Sequence, residues 1–187
     1  MVEIKQIAVT IYMQTQTLIG FIYSYGERLS DVLNSLSPRR ENRGRFVELH
    51  NVTIQHPDGR EERLATSYIN KAAIQLVTTT EDDLAKGIGG QVGAKHYPFV
   101  EKLPVSVRLQ VPAYTIMGNM HCASRGMTWH TLEEKSTFLP ITNVSICQSD
   151  NSNWWRLSFA AVNRDQILSL IELETSPMGV MGAQAFN

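Results

Sequence analysis

The chain has 187 residues, 43% hydrophobic and 19% charged, and its 17 basic and 18 acidic side chains leave a formal net charge of −1. That composition fits one globular domain or two small ones, and it lacks the global basic excess with which dedicated nucleic-acid binders neutralise phosphate. No apolar run nears the roughly 20 residues of a membrane-spanning helix, and Met1-Val-Glu-Ile-Lys5 lacks the basic and apolar parts of a secretory signal, so a cytoplasmic chain without a membrane span is expected.

In chain order, Ile7 to Met13 is rich in β-branched and aromatic residues, and Leu18 to Tyr23 is a second such run. The polar link Gln14-Thr-Gln-Thr17 between them predicts an antiparallel hairpin. Gly20, inside the second run, marks a bulge or bend. Leu29, Val32 and Leu33 fall at i, i+3 and i+4, which predicts a turn or two of helix, capped by Ser30 or Asp31 and ended by Asn34. Arg39, Arg40, Arg43 and Arg45 crowd the next loop, offset only by Glu41 and Glu48, as a solvated loop or as a patch for phosphate or an acidic partner. Phe46 to Ile54 reads as a bent strand, His56-Pro-Asp-Gly59 as a turn, and Arg63 to Ile69 as the returning strand. Asn70-Lys71 then makes a tight connection into the strand Ile74-Gln-Leu-Val77, where asparagine tolerates left-handed turn geometry and caps the strand-to-strand connection, or else belongs to a ligand-contacting loop.

After this the sequence repeats itself. Phe46-Val-Glu-Leu-His-Asn-Val-Thr-Ile54 returns as Phe138-Leu-Pro-Ile-Thr-Asn-Val-Ser-Ile146, an offset of 138 − 46 = 92. Tyr68-Ile-Asn-Lys-Ala-Ala-Ile74 corresponds to Ala161-Val-Asn-Arg-Asp-Gln-Ile167, and Gly20 to Gly118. Ordered matches of this kind predict two copies of one unit. The expected organisation is a first β repeat over 1–77, a glycine-rich linker over 78–103, a second β repeat over 104–173 and a flexible tail over 174–187. In the second copy, Gly126 to Leu132 stands in place of the helix, Gln148 to Asn153 forms the turn, and Trp154 to Val162 and Ile167 to Leu173 are strands. The predicted fold is mainly β, two tandem five-stranded barrel-like domains, each with a short helix, related by pseudo-two-fold symmetry.

Motifs for chemistry are sparse. Starting at Gly87, the sixth position of a dinucleotide-binding glycine pattern is Val92. Among His121, Cys122, His130 and Cys147 only the first two are close, and neighbours on a strand face opposite ways, so no zinc site is expected. Cys122 and Cys147 have no counterparts in the first copy, which favours reduced thiols over a disulfide framework. No orienting third group accompanies a Cys/His pair, so no catalytic residue, metal or cofactor is expected. Trp154-Trp155 at a strand start places one ring on each face, one for the core and one for an interface.

Five strands with a bend in the second, a long third, and a tight polar loop before a short closing strand resemble the small Sm-like barrel, over Val9 to Val77 and Val105 to Leu173. The resemblance implies polar loops that contact RNA bases and barrels that assemble into rings. The stretch Arg28-Leu-Ser-Asp-Val-Leu-Asn34 followed by Asn51-Val-Thr-Ile54 also resembles bacterial domains that carry no assigned activity. The expected function is therefore a non-enzymatic binding or assembly module that contacts a protein partner or itself. Its candidate contact residues are Arg39, Arg40, Arg43, Arg45, Asn70, Lys71, Asn163, Arg164, Trp154 and Trp155. RNA binding through the arginine loop and the two Asn-Lys/Arg loops is the alternative, and a thiol-dependent enzyme using Cys122 or Cys147 the third reading.

Overall fold

The structure, a computed structural model, describes residues 4–24, 28–34, 44–80, 102–123, 128–134 and 136–173. The tail, residues 81–101 of the linker, and Arg39, Arg40 and Arg43 lie outside the described residues, and the linker's first and last residues, Thr78 and Leu103, belong to flanking strands. Alternating apolar residues give the strands their buried faces: Ile7, Val9 and Ile11 on β1 (Lys5–Met13), and Leu18 and Ile22 on β2 (Thr17–Ser24). The helix α1 (Leu29–Leu33) buries Leu29, Val32 and Leu33, as their spacing predicts. Its start differs from expectation: Arg28 holds the N-cap position without a side-chain cap, and Asn34 closes the C-terminal end. The strands β3 (Phe46–Gln55) and β4 (Glu61–Asn70) flank the predicted turn, in which Gly59 has φ 83°. A single 3-10 turn, Lys71–Ala73, leads into β5 (Ile74–Thr78).

The same series follows as β6 (Leu103–Gln110), β7 (Tyr114–Cys122), α2 (Thr128–Leu132), β8 (Phe138–Gln148), β9 (Trp154–Asn163), the 3-10 turn Arg164–Gln166 and β10 (Ser169–Glu172). Ladder irregularities recur with it. Pairing of β2 with β3 shifts between Ile19 and Phe21, and pairing of β7 with β8 between Met117 and Asn119. Opposite each shift stands a left-handed asparagine, Asn51 (φ 50°) and Asn143 (φ 53°). The glycines at the shifts are required by contact: a Cβ on Gly20 would lie 2.7 Å from His50 O, and one on Gly118 2.6 Å from Ile141 Cγ2. Gly118→Ala is therefore expected to lose about 1–3 kcal/mol by overpacking, measured by urea denaturation.

The ladders differ from two separate barrels. All ten strands join one antiparallel sheet in the order β10-β6-β7-β8-β9-β5-β1-β2-β3-β4. Each half is a five-stranded unit, but β5 does not turn back onto β4; its free side pairs with β9, with Leu76 opposite Val162, Val77 opposite Ala161 and Thr78 opposite Ala160. This also corrects the pseudo-two-fold expectation. A two-fold would repeat the β5–β9 contact as β10–β4, whereas β10 and β4 stand at opposite ends of the strand order, so the described ladders make a single head-to-tail junction.

Side chains at the junction serve two cores. Val77 and Ile74, with Phe138, Phe159 and Ala161 from the second half, belong to the first core. Leu76 from the first half joins Ala160 and Val162 in the second. Alternation along a strand sends neighbours to opposite faces, so β5 is buried at every position.

Candidate functional site

Four of the five described polar residues singled out by sequence, Arg45, Asn70, Lys71 and Asn163, lie at or beside this junction. Asn163 is fully buried; its amide donates to the carbonyl oxygens of Lys71 at 2.9 Å and Ile74 at 2.8 Å, and its Oδ1 accepts from the Asp165 backbone N–H at 3.1 Å. The asparagine thus caps its own 3-10 turn and clamps the other half's. Asn70 forms the matching bond to the Ala72 N–H at 3.0 Å but lies exposed. Both asparagines are extended, with φ of −64° and −69°, and not left-handed as the tight connection led one to expect. Asn34 adds a two-way bond across the junction: Nδ2 donates to Phe138 O at 3.0 Å, and Phe138 N–H donates to Oδ1 at 2.7 Å.

A cleft of about 480 Å³ opens beside this seam, with Asn34, Arg45, Asn70, Lys71, Thr137 and Asp165 among its walls. Arg45, Asn70 and Lys71 are thereby brought together; Arg164 is not among them. Its guanidinium donates to the carbonyls of Glu134 and Ser136 and to Ser136 Oγ, which ties the second 3-10 turn to the segment before β8. Burial lowers its pKa, against the opposing pull of Glu134 and Asp165.

The two tryptophans divide as alternation requires. Trp154 is exposed, whereas Trp155 packs near Tyr12 and Tyr114, with ring centroids 6.2 and 6.3 Å away. Tyr12 and Tyr114 meet edge to face at 5.4 Å, so the trio links β1, β7 and β9 across the junction. Burial raises both phenol pKa values, more than hydrogen bonds from Thr78 and Trp155 to Tyr12, or from Thr17 to Tyr114, lower them. The neutral phenols favour the folded state, so their stabilisation is complete below the unfolded value of about 10. It is lost as pH rises through the higher folded values. Absorbance titration should show two phenols ionising late, with stability to urea falling over that alkaline window.

Cys122 and Cys147 are buried free thiols, and the Cys147 thiol donates to Asn151 O at 2.9 Å. His121, on the face opposite Cys122, meets Thr142 Oγ1 at 2.9 Å, and burial, aided by Lys102, lowers its pKa. Among the described residues, no three His, Cys, Asp or Glu side chains converge as metal ligands. No described helix is long and apolar enough to cross a membrane.

The other notable surfaces are the two ends of the sheet. β4 pairs only with β3, and β10 only with β6, so each presents an open edge among the described residues. Leu64 and Tyr68 on β4, Phe46 on β3, and Leu168 and Ile171 at β10 are exposed apolar or aromatic side chains there. The alternating pattern gave no means of telling which strands would be edges. Comparison with family models, with curated proteins and with solved structures found no match.

Proposed function

We propose that this chain is a non-enzymatic assembly module that recognises a protein partner by adding the partner's strand to an open edge of its sheet. The observation that supports this reading is the pair of edges, β4 and β10, that carry no further strand among the described residues and are flanked by exposed Phe46, Tyr68 and Ile171. Strand addition supplies affinity through backbone hydrogen bonds and specificity through alternate side chains, and natural proteins rarely leave apolar edges uncovered. The test is hydrogen exchange on the protein as isolated under native conditions. Amides of β4 and β10 should exchange slowly in the assembled species and fast after dissociation. Fast exchange at both edges in every species removes the reading.

A second reading has its own observation: the cleft gathers Lys71 and Asn70 with Arg45, the last arginine of the arginine-rich segment. These groups suit RNA, cations for phosphate and an amide for a base edge. Titration of a labelled single-stranded RNA should then show affinity falling steeply with salt, and Lys71→Ala should flatten that slope. No binding at low salt excludes it.

A further inference from the structure

Resting on the strand-addition reading, we infer that the partner is a second copy of this chain, joined head to tail: β10 of one molecule pairs with β4 of the next, reproducing between chains the junction that β5 and β9 make within one. The internal junction serves as the template, because its strands, its polar clamp and part of its buried surface have counterparts at the sheet ends. Phe138, 0% exposed in the first half's core, corresponds to Phe46, 55% exposed. Ala161 at 0% corresponds to Tyr68 at 68%, and Thr78 at 3% to Ile171 at 44%. At these three positions an apolar or aromatic residue stands exposed at the sheet ends where the internal junction buries its counterpart.

The two cores differ in the complementary way. Leu33, Ile74 and Val77 of the first half are fully buried, sealed by Phe138, Phe159 and Ala161 from the second. Their counterparts in the second half, Leu132, Ile167 and Leu170, are only half-buried at the margin of its core. The second core lacks the cover that the first receives, and Phe46 and Tyr68 of a neighbouring molecule have the positions to supply it. Burying such exposed apolar area is the main driving force of association.

The polar clamp is also duplicated. Asn163 holds the Lys71 and Ile74 carbonyls across the internal junction, whereas the Asn70 amide nitrogen has no carbonyl partner among the described residues. In the proposed contact it meets the equivalent carbonyls of Arg164 and Ile167 in the next chain. Register follows from the internal ladder: Leu76–Val162, Val77–Ala161 and Thr78–Ala160 map onto Ser169–Ile69, Leu170–Tyr68 and Ile171–Ser67 between chains. One internal contact is not repeated, since Glu133 stands after α2 where Asn34 stands after α1 and cannot donate to a Phe46 carbonyl. Because the surfaces are unlike, association continues until a ring closes or a filament grows.

The experiment combines light scattering with cross-linking of the full chain. Tyr68→Cys and Leu170→Cys variants, prepared separately and mixed, should be joined by a short bismaleimide, while neither variant alone links to itself. The wild-type mass should be a multiple of the monomer, and Phe46→Asp, on an exposed side chain, should raise the dissociation constant tenfold or more with an unchanged near-ultraviolet circular dichroism spectrum. A monomer at every concentration up to millimolar, or equal linking within each single variant, overturns the inference. If β4 and β10 are instead protected from exchange by a different protein, strand addition stands and self-association falls; if both edges exchange fast in every species, both fall.

Discussion

Phe138→Ala should lower the stability of the chain by about 3–5 kcal/mol, the range for emptying a large aromatic site in a core. The side chain is fully buried and belongs to the core of the half that does not contain it in sequence. Its loss opens a cavity against residues such as Ile74 and Val77 and weakens the seal between the halves. The control is Phe46→Ala, the corresponding position at the open end, where exposure limits the loss to about 0.5 kcal/mol in the isolated monomer. Urea denaturation of both variants at a concentration where the chain is monomeric measures the contrast. Similar costs at the two sites would mean that the junction is not buried as described. A large cost at Phe138 alone establishes that one half's core is completed by the other's strands.

The contrast also shows why parts of this structure were legible in the sequence and others were not. Strand alternation, the Leu29, Val32 and Leu33 spacing and the Pro-Asp-Gly turn are set by interactions within a few residues, and the elements they predict are present. The junction is different in kind. Whether β5 pairs with its own β4 or with β9 depends on which backbone edges meet, and two phenylalanines in matching segments carry no mark of which will be covered. The Asn-Val pair was visible as a repeated feature. Its asparagine is left-handed opposite a tight glycine, a role that becomes apparent only once β2 and β3 are in register. Conversely, the Asn70 and Asn163 repeat caps the tight strand-to-strand turn its residue type predicts, but with an extended and not a left-handed backbone. Its oxygen bond is local in both copies, and what separates the copies is the amide nitrogen, whose acceptors lie 92 and 89 residues away.

That separation gives the second large effect. Asn163→Asp keeps the shape and the oxygen that accepts from the Asp165 N–H, but turns a donor facing two carbonyls into an anion facing them. An uncompensated buried charge of this kind costs about 3–5 kcal/mol, whereas Asn70→Asp, exposed in the monomer, should cost about 0.5 kcal/mol or less. The introduced carboxyl is held above its unfolded pKa of about 3.9 by burial and by the two carbonyls. Its protonated form restores one donated bond, so the penalty is largest at neutral pH and shrinks as pH falls through the raised value. Stability measured by urea denaturation from neutral to mildly acidic pH should therefore converge for Asn163→Asp and wild type on acidification. Asn163→Leu, which cannot donate at any pH, should show no such convergence. If the aspartate variant is pH-independent, or if Asn70→Asp behaves like it, the Asn163 amide is not what holds the two halves together.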